Sequence, residues 1–120
     1  MDKIWSFSEN VVKELNAYFF VFDSNEILID FHTPKNTDNS FNFEDAKGKK
    51  IESFTPVFIY QNFKKSLNKL ISSGKKQKFE YEIEKSPENI ETYEVTINSI
   101  DNNLFLGSIY NITEAVLIKK

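Results

Sequence analysis

Two segments of the chain, one near each end, are predominantly hydrophobic. The first covers 18–22 and is followed by a polar turn at 23–26, after which 27–31 is apolar again. The second covers 104–112. A strand that is apolar on both faces is typical of the covered centre of a sheet. We therefore predict a hairpin over 18–31 and place the first and last strands side by side at the centre of one sheet.

Apolar and polar residues alternate in two further segments. Over 79–84 aromatic or aliphatic side chains alternate with three glutamates, and over 93–98 they alternate with polar residues. A period of two predicts strands with one buried face and one solvated face. Turn-forming residues at 86–89 and 101–103 separate these strands from each other and from the last strand.

Apolar residues spaced three or four apart predict two helices. The longer one follows Pro56, which suits a helix start, and Ser73-Gly74 is a typical helix end. Its apolar stripe consists of Ile59, Phe63, Leu67, Leu70 and Ile71. A second stripe predicts an amphipathic helix over 1–16, and its members are Ile4, Phe7, Val11, Val12 and Leu15.

These elements predict an α+β fold with a five-stranded antiparallel sheet in the order 2-1-5-4-3. Short helices within 41–53 and the long helix are expected on the inner face of the sheet. The N-terminal amphipathic helix is expected on the outer face. A chain of 120 residues is long enough for one domain with one core, so we predict a single domain over 1–120.

The composition removes several classes of function. The net charge is −3 and all 15 basic residues are lysines, so we expect no nucleic-acid surface and no arginine clamp on a carboxylate or phosphate. The chain has no cysteine, which excludes disulfides, thiol catalysis and thiolate-bound zinc. No apolar run approaches the ~20 residues of a membrane-spanning helix, so we expect no membrane contact by this segment.

No constellation of catalytic side chains is visible, and we expect that the domain is not an enzyme. Glu80, Glu82 and Glu84 share a strand face that should be solvated. Two carboxylates acting as acid and base need different, partly buried environments. His32, the only histidine, is expected beside a loop. We predict no catalytic residue and no metal site; a small α+β enzyme with a cone-shaped cavity, using a buried base, is an alternative.

Five short motifs, in the order of the predicted elements, resemble those of PAS domains. They lie at 23–27 in the first hairpin, 48–56 before the long helix, 73–82 at the third strand, 93–95 in the fourth strand and 111–114 after the last strand. The resemblance extends over almost the whole chain. It implies a PAS core over 17–113, preceded by a flanking helix over 1–16 and followed by a signalling helix that begins in 114–120 and is truncated there.

The resemblance also bears on cofactors. PAS domains that bind haem carry a histidine on the long helix, and 56–74 contains none. Flavin photosensors of the family need a reactive cysteine, which this chain lacks. We therefore expect neither histidine-bound haem nor cysteine-linked flavin, and we predict no cofactor.

In PAS domains the concave inner face of the sheet holds the ligand cavity. Because protein interiors pack to a density of about 0.74, we expect the side chains of this face to form a filled core, with a small apolar ligand as the alternative. The strand alternation and the helix stripe assign ten residues to this face: Phe20, Phe22, Phe63, Leu67, Phe79, Tyr81, Val95, Ile97, Phe105 and Ile109.

The outer face of the sheet is a candidate dimer interface, because an apolar patch on two central strands needs a cover. The resemblance implies a homodimer through this face and the N-terminal helix. Tyr18 and Val21 are also expected to point outward. The candidate dimer face consists of Phe7, Val11, Leu15, Phe19, Leu106 and Tyr110.

The candidate signal exit is Asn111, Ile112, Thr113 and Glu114. PAS domains usually have Asp at the first position, where this chain has Asn111, and an amide can hydrogen-bond but cannot form an ion pair. The Thr113 hydroxyl suits an N-cap of the following helix, and Glu114 suits its first turn.

Together these features predict a cytoplasmic PAS sensory module of a larger signalling protein, with an effector after Lys120. The resemblance implies a histidine kinase of a two-component system, a cyclic-dinucleotide enzyme or a transcription regulator as that effector. A ligand-free PAS module for dimerisation or protein interaction is the alternative.

Overall fold

Five antiparallel strands in the described part of the chain form one sheet, and three helices lie between β2 and β3 in the sequence. The computed structural model describes residues 17–33 and 43–113. The predicted helix over 1–16 and the segment 114–120 lie outside the described residues. The elements are β1 (Ala17–Asp23), β2 (Leu28–His32), α1 (Phe43–Ala46), the 3-10 helix η1 (Ile51–Phe54), α2 (Val57–Ser73), β3 (Gln77–Ser86), β4 (Asn89–Asp101) and β5 (Leu104–Asn111).

The strand order β2-β1-β5-β4-β3 confirms the predicted topology. β1 and β5 are neighbours inside the sheet, and β1 pairs with β5 along its whole length, from Ala17 opposite Tyr110 to Asp23 opposite Leu104. The start and the end of the predicted core therefore lie next to each other in the middle of the sheet.

β1 is buried on both faces, as its continuous apolar sequence predicts. Phe22 points to the inner face and Val21 to the outer face, and both side chains are fully buried. Phe63 and Leu67 of α2 belong to the same cluster as Phe22, so α2 covers the inner face. Fully burying one such side chain stabilises the fold by roughly 1.5–3 kcal/mol.

The turn between β1 and β2 depends on side-chain hydrogen bonds. The Asp23 carboxylate accepts hydrogen bonds from the backbone N–H groups of Asn25, at 2.9 Å, and Ile27, at 3.0 Å. Glu26 adopts the left-handed conformation with φ of 65°, which L-residues rarely adopt. Its carboxylate accepts hydrogen bonds from Tyr60 Oη and Lys64 Nζ, and these contacts tie the turn to α2.

These contacts also shift two ionisation equilibria. Partial burial opposes ionisation of Glu26, but the hydrogen bonds from Lys64 and Tyr60 outweigh it and leave the pKa of Glu26 below its ordinary value. The hydrogen bond to Glu26, followed by burial, raises the pKa of Tyr60 to about 12. Glu26 is therefore charged and Tyr60 neutral at pH 7, as the hydrogen bond requires.

The ends of α2 lie where the sequence predicts them. The Pro56 carbonyl accepts hydrogen bonds from the N–H groups of Ile59, at 3.1 Å, and Tyr60, at 2.9 Å. Gly74 ends the helix in the left-handed conformation, with φ of 70°, and its N–H donates to the Leu70 carbonyl at 2.7 Å. A residue without Cβ adopts this conformation without strain.

One member of the predicted apolar stripe of α2 was placed wrongly. Ile71 is 61% exposed, whereas Leu70 beside it is 2% exposed. Successive helical residues are about 100° apart around the axis, so Ile71 lies beyond the edge of the stripe that Phe63, Leu67 and Leu70 form.

Leu70→Ala should lower the free energy of unfolding by about 2–5 kcal/mol, because it leaves a cavity under α2. Ile71→Ala is the matched control on the same helix, and it should change stability by less than about 0.5 kcal/mol. Urea denaturation of both variants measures the difference. Equal losses would contradict the assignment of these two residues to the core and the surface.

Candidate ligand cavity and signal exit

The ten residues that the sequence assigns to the inner face lie together in one cluster. Phe22, Leu67 and Ile97 are fully or almost fully buried at its centre. The ring centroid of Phe22 is 5.2 Å from that of Phe63 and 5.2 Å from that of Phe105. Phe20, Phe79, Tyr81 and Ile109 are partly buried at the margin of this cluster.

Side chains do not fill the whole inner face, and a cavity of about 260 Å³ remains. Six of the ten assigned residues line it: Phe20, Phe63, Phe79, Tyr81, Val95 and Ile109. The remaining lining residues, which sequence reasoning did not assign to the cavity, are Leu28, Ile51, Phe54, Thr55, Pro56 and Ile59. Most of these lie at 51–59, around η1 and the start of α2, a region that the PAS-like motif at 48–56 marks in the sequence.

The cavity lining is apolar apart from two hydroxyl groups. No charged side chain is among the lining residues. The Thr55 hydroxyl donates to the Ile51 carbonyl at 2.7 Å. Burial, together with the nearby Tyr18, raises the pKa of Tyr81 to about 12, so its phenol is protonated at pH 7 and can donate a hydrogen bond. A lining of this chemistry disfavours any charged molecule, because ionised groups lose their hydration there without compensation.

Gly107 of β5 leaves the space that the Phe20 ring occupies. The two residues are directly opposite each other in the β1–β5 pairing, and a Cβ at position 107 would overlap the Phe20 ring. Phe20 can therefore lie flat across β5 beside Phe22, with their ring centroids 5.7 Å apart. The missing side chain at position 107 thus keeps the Phe20 ring at the wall of the cavity.

The outer face carries a second, smaller apolar cluster. Ala17 and Phe19 are buried in it, and Leu106 and Tyr110 pack against them. The rings of Phe19 and Tyr110 meet edge to face with centroids 6.2 Å apart. The other members of the candidate dimer face, Phe7, Val11 and Leu15, lie outside the described residues.

Tyr18 does not point outward, contrary to the expectation from the sequence. It lies opposite Ile109, which lines the inner cavity, and its phenol acts electrostatically on Tyr81 and Tyr93. Alternation explains this placement, because Tyr18 shares the face of Phe20 and Phe22.

At the exit, hydrogen bonds connect the end of β5 to β4. Asn111 Oδ1 accepts from the Thr113 N–H at 3.0 Å and from the Thr113 hydroxyl at 2.6 Å. The Thr113 hydroxyl in turn accepts from the Thr92 N–H at 2.9 Å, and Ile112 N–H donates to the Thr92 carbonyl at 2.8 Å. Glu114 and the helix predicted over 114–120 lie outside the described residues.

The remaining candidate groups of the sequence lie on β3 and β2. Glu80, Glu82 and Glu84 are all exposed on β3. His32 ends β2, and its ring centroid is 6.3 Å from that of Phe19. Within 17–33 and 43–113 no group of three metal-binding side chains is found. In the same ranges, no helix has both the length and the hydrophobicity needed to cross a membrane.

The sheet order, the helices over its inner face and the cavity between them define the PAS fold, and solved structures with this fold are similar to almost the whole chain. The PAS domain of a protein from Colwellia psychrerythraea has a TM-score of 0.68 and 16% identity, and the match covers 92% of this chain and 98% of that one. A sensory box sensor histidine kinase from Vibrio cholerae has a TM-score of 0.66 and 12% identity, with 94% of each chain covered.

A third similar structure, the PAS domain of an HTR-like protein from Haloarcula marismortui, has a TM-score of 0.59 and 15% identity and covers 92% of this chain and 93% of that one. Comparison with protein-family models and with curated proteins gives no match. The likeness to these solved structures establishes the fold, and the PAS resemblance inferred from the sequence motifs is confirmed at that level.

Gly107→Ala should force the Phe20 ring away from β5 and lower the free energy of unfolding by about 1–3 kcal/mol through overpacking. The double variant Gly107→Ala/Phe20→Leu gives the new methyl group room. Its stability loss should be smaller than the sum of the two single losses by about 1 kcal/mol. Strictly additive losses, measured by urea denaturation, would show that residue 107 does not set the position of Phe20.

Proposed function

We propose that the chain is the PAS sensory module of a larger cytoplasmic signalling protein, in which a change at the inner cavity is relayed by β5 to a C-terminal effector. One observation carries this proposal: Ile109 lines the cavity and lies two residues before Asn111 in the same central strand. A displacement of Ile109 is therefore transmitted along β5 to the exit. Signalling would then be a shift between two packings of this strand.

The ligand that suits the cavity is small, uncharged and mainly apolar. Five aromatic rings line the space, and none of the lining side chains carries a charge. An apolar cavity of about 150 Å³ can hold benzene, so the 260 Å³ found here accommodates a molecule of one or two rings. The Tyr81 phenol would orient such a ligand by a hydrogen bond.

The effector is part of the proposal. The similar structure from Vibrio cholerae is that of a sensor histidine kinase, which favours a kinase of a two-component system among the three effector classes expected from the sequence.

Two measurements test the sensory role. Native mass spectrometry of the freshly purified domain should show extra mass that leaves on denaturation. A titration with indole, a neutral two-ring probe, should move the amide NMR signals of the cavity residues and those of Ile112 and Thr113.

Ile109→Trp, which fills the cavity from β5, should weaken indole binding at least tenfold. Leu106→Trp, on the outer face of the same strand, is the matched control and should leave binding within twofold.

The outcomes separate the parts of the proposal. A clean apo mass, together with no indole binding, would count against a ligand and favour a module that works by contact. Binding that moves the cavity signals but leaves the amides of Ile112 and Thr113 unchanged would retain the ligand site and contradict the relay through β5.

The alternative function is a ligand-free module for dimerisation, and the outer cluster favours it. Leu106 and Tyr110 place apolar surface on a central strand beside the buried Phe19. A second copy of the chain that packs there, with the segment 1–16 taking part, would bury this surface.

Leu106→Lys should convert such a dimer to a monomer, because a lysine ammonium would be buried at the centre of the interface without a partner. Analytical ultracentrifugation measures the change. Ile71→Lys on the exposed side of α2 is the control and should leave the oligomeric state unchanged. A dimer that persists in Leu106→Lys would place the interface elsewhere.

A further inference from the structure

The carboxylate of Glu91 attaches the exit of β5 to β4, in addition to the hydrogen bonds with Thr92. Glu91 Oε2 accepts a hydrogen bond from Asn111 Nδ2 at 2.8 Å and another from Tyr93 Oη at 2.9 Å. Lys85 Nζ lies 3.4 Å from Glu91 Oε1. The Glu91 carboxylate thus joins a residue of β3, a residue of its own strand and the last residue of β5.

The two ends of the Asn111 amide have different partners. Its Nδ2 donates to Glu91, while its Oδ1 accepts from the N–H and hydroxyl of Thr113. This arrangement needs a donor and an acceptor on the same side chain, and an amide supplies both. We refer to Glu91, Tyr93, Asn111 and Thr113 as the exit clasp.

We infer that Glu91 is the residue that requires an asparagine at position 111, and that the exit clasp is the element whose opening releases the chain after Thr113 when the cavity changes. The first half of this inference stands on the contacts alone. The second half rests on the proposed sensory function.

An aspartate at position 111 would be incompatible with this geometry at neutral pH. It would place a second carboxylate within hydrogen-bond distance of Glu91 Oε2 without a proton between them. The hydrogen bond from Tyr93, opposed by partial burial and supported by Lys85, keeps the pKa of Glu91 below its ordinary value, so Glu91 is charged at pH 7. Two carboxylates at this distance repel, and one lysine cannot neutralise both.

The exit clasp is in direct contact with the cavity wall. The rings of Tyr93 and Tyr81 stack with centroids 5.3 Å apart and planes inclined by 16°. Tyr81 lines the cavity, and Tyr93 donates to Glu91. A ligand that moves the Tyr81 ring therefore moves the ring whose hydroxyl is bound to Glu91. The titratable groups that face this network are Glu91, Tyr93, Tyr81, Tyr18 and Lys85.

Exchanging the amide and the carboxylate between positions 91 and 111 tests the first half. The measured quantity is the hydrogen-exchange protection factor of the Ile112 and Thr113 amides, by NMR at pH 7 without ligand. Asn111→Asp should reduce protection at least tenfold. The double variant Glu91→Gln/Asn111→Asp has the charge of the native chain and restores one donor opposite one carboxylate, so protection should return to within threefold of the native value.

A matched control separates the contact from the added charge. Asn98→Asp on β4 makes the same substitution on the opposite face of the sheet and should leave the protection of Ile112 and Thr113 within twofold. Protection of the amide of Ile97, in the core, should be unchanged in all variants. If the Ile112 and Thr113 amides are as protected in Asn111→Asp as in the native chain, or if adding Glu91→Gln does not restore their protection, Glu91 is not the residue that requires Asn111.

The pH dependence of Asn111→Asp provides an independent check. Its loss of protection arises from two ionised carboxylates, so it should be complete at pH 7 and should diminish as the pH falls and one of them binds a proton. The native chain should show the opposite trend. A carboxylate whose pKa is lower in the folded than in the unfolded chain stabilises the fold at pH values above its unfolded-state pKa, and this contribution is lost as the pH falls and the carboxylate binds a proton.

Tyr81→Ala tests the second half, since it removes the ring that touches both the cavity and Tyr93. It should reduce the protection of Thr113 at least fivefold, whereas Tyr81→Phe, which keeps the ring, should reduce it less than twofold. Equal protection in Tyr81→Ala and the native chain would overturn the coupling to the cavity while leaving the exit clasp in place. Because no ligand is added, a failure of indole binding does not affect either result.

Discussion

The pairing of β1 with β5 is the constraint on which the rest of the structure depends. It joins the first and last strands of the core at the centre of the sheet, over seven consecutive residue pairs. Every residue on these strands is thereby assigned to one of two apolar faces. The inner face receives α2 and contains the cavity, and the outer face carries the cluster around Phe19. A one-residue slip would exchange the two faces, so the register specifies both candidate sites at once.

The cavity results from the way in which a few aromatic side chains pack on these two strands. Phe20 lies over Gly107, and Phe22 packs between Phe63 and Phe105. The rings of β1 are thus held towards the sheet, while η1 and the start of α2 form the opposite wall. Packed aromatic residues and an open space therefore coexist on one face: Phe22 is packed between Phe63 and Phe105, while Phe20 lies beside it at the wall of the cavity.

Most of the fold could be predicted from the sequence, because its signals are local. Continuous and alternating apolar runs predicted the strands and their order, and Pro56 and Gly74 predicted the ends of α2. The errors at Ile71 and Tyr18 both concern which way a side chain points near the edge of an apolar pattern.

The cavity and the exit clasp could not be predicted in the same way. A cavity is a small difference between the volume enclosed by the backbone and the volume of the side chains, and no short pattern encodes it. The contact between Glu91 and Asn111 joins residues 20 positions apart and depends on the β4–β5 register, in which Tyr93 lies opposite Asn111. Only the departure from the Asp that PAS domains usually have pointed to position 111.

The exposed face of β3 has a consequence for how copies of the chain can meet. Within the described residues β3 is an edge of the sheet, and Glu80, Glu82 and Glu84 are exposed along it. Glu80 also lies directly opposite Glu94, so like charges already face each other there. Adding a strand from a second copy would bring two such rows of glutamates together, and their charges would repel. Charged side chains on an edge strand oppose aggregation in this way. Copies of the domain are therefore discouraged from joining into a continuous sheet through this edge.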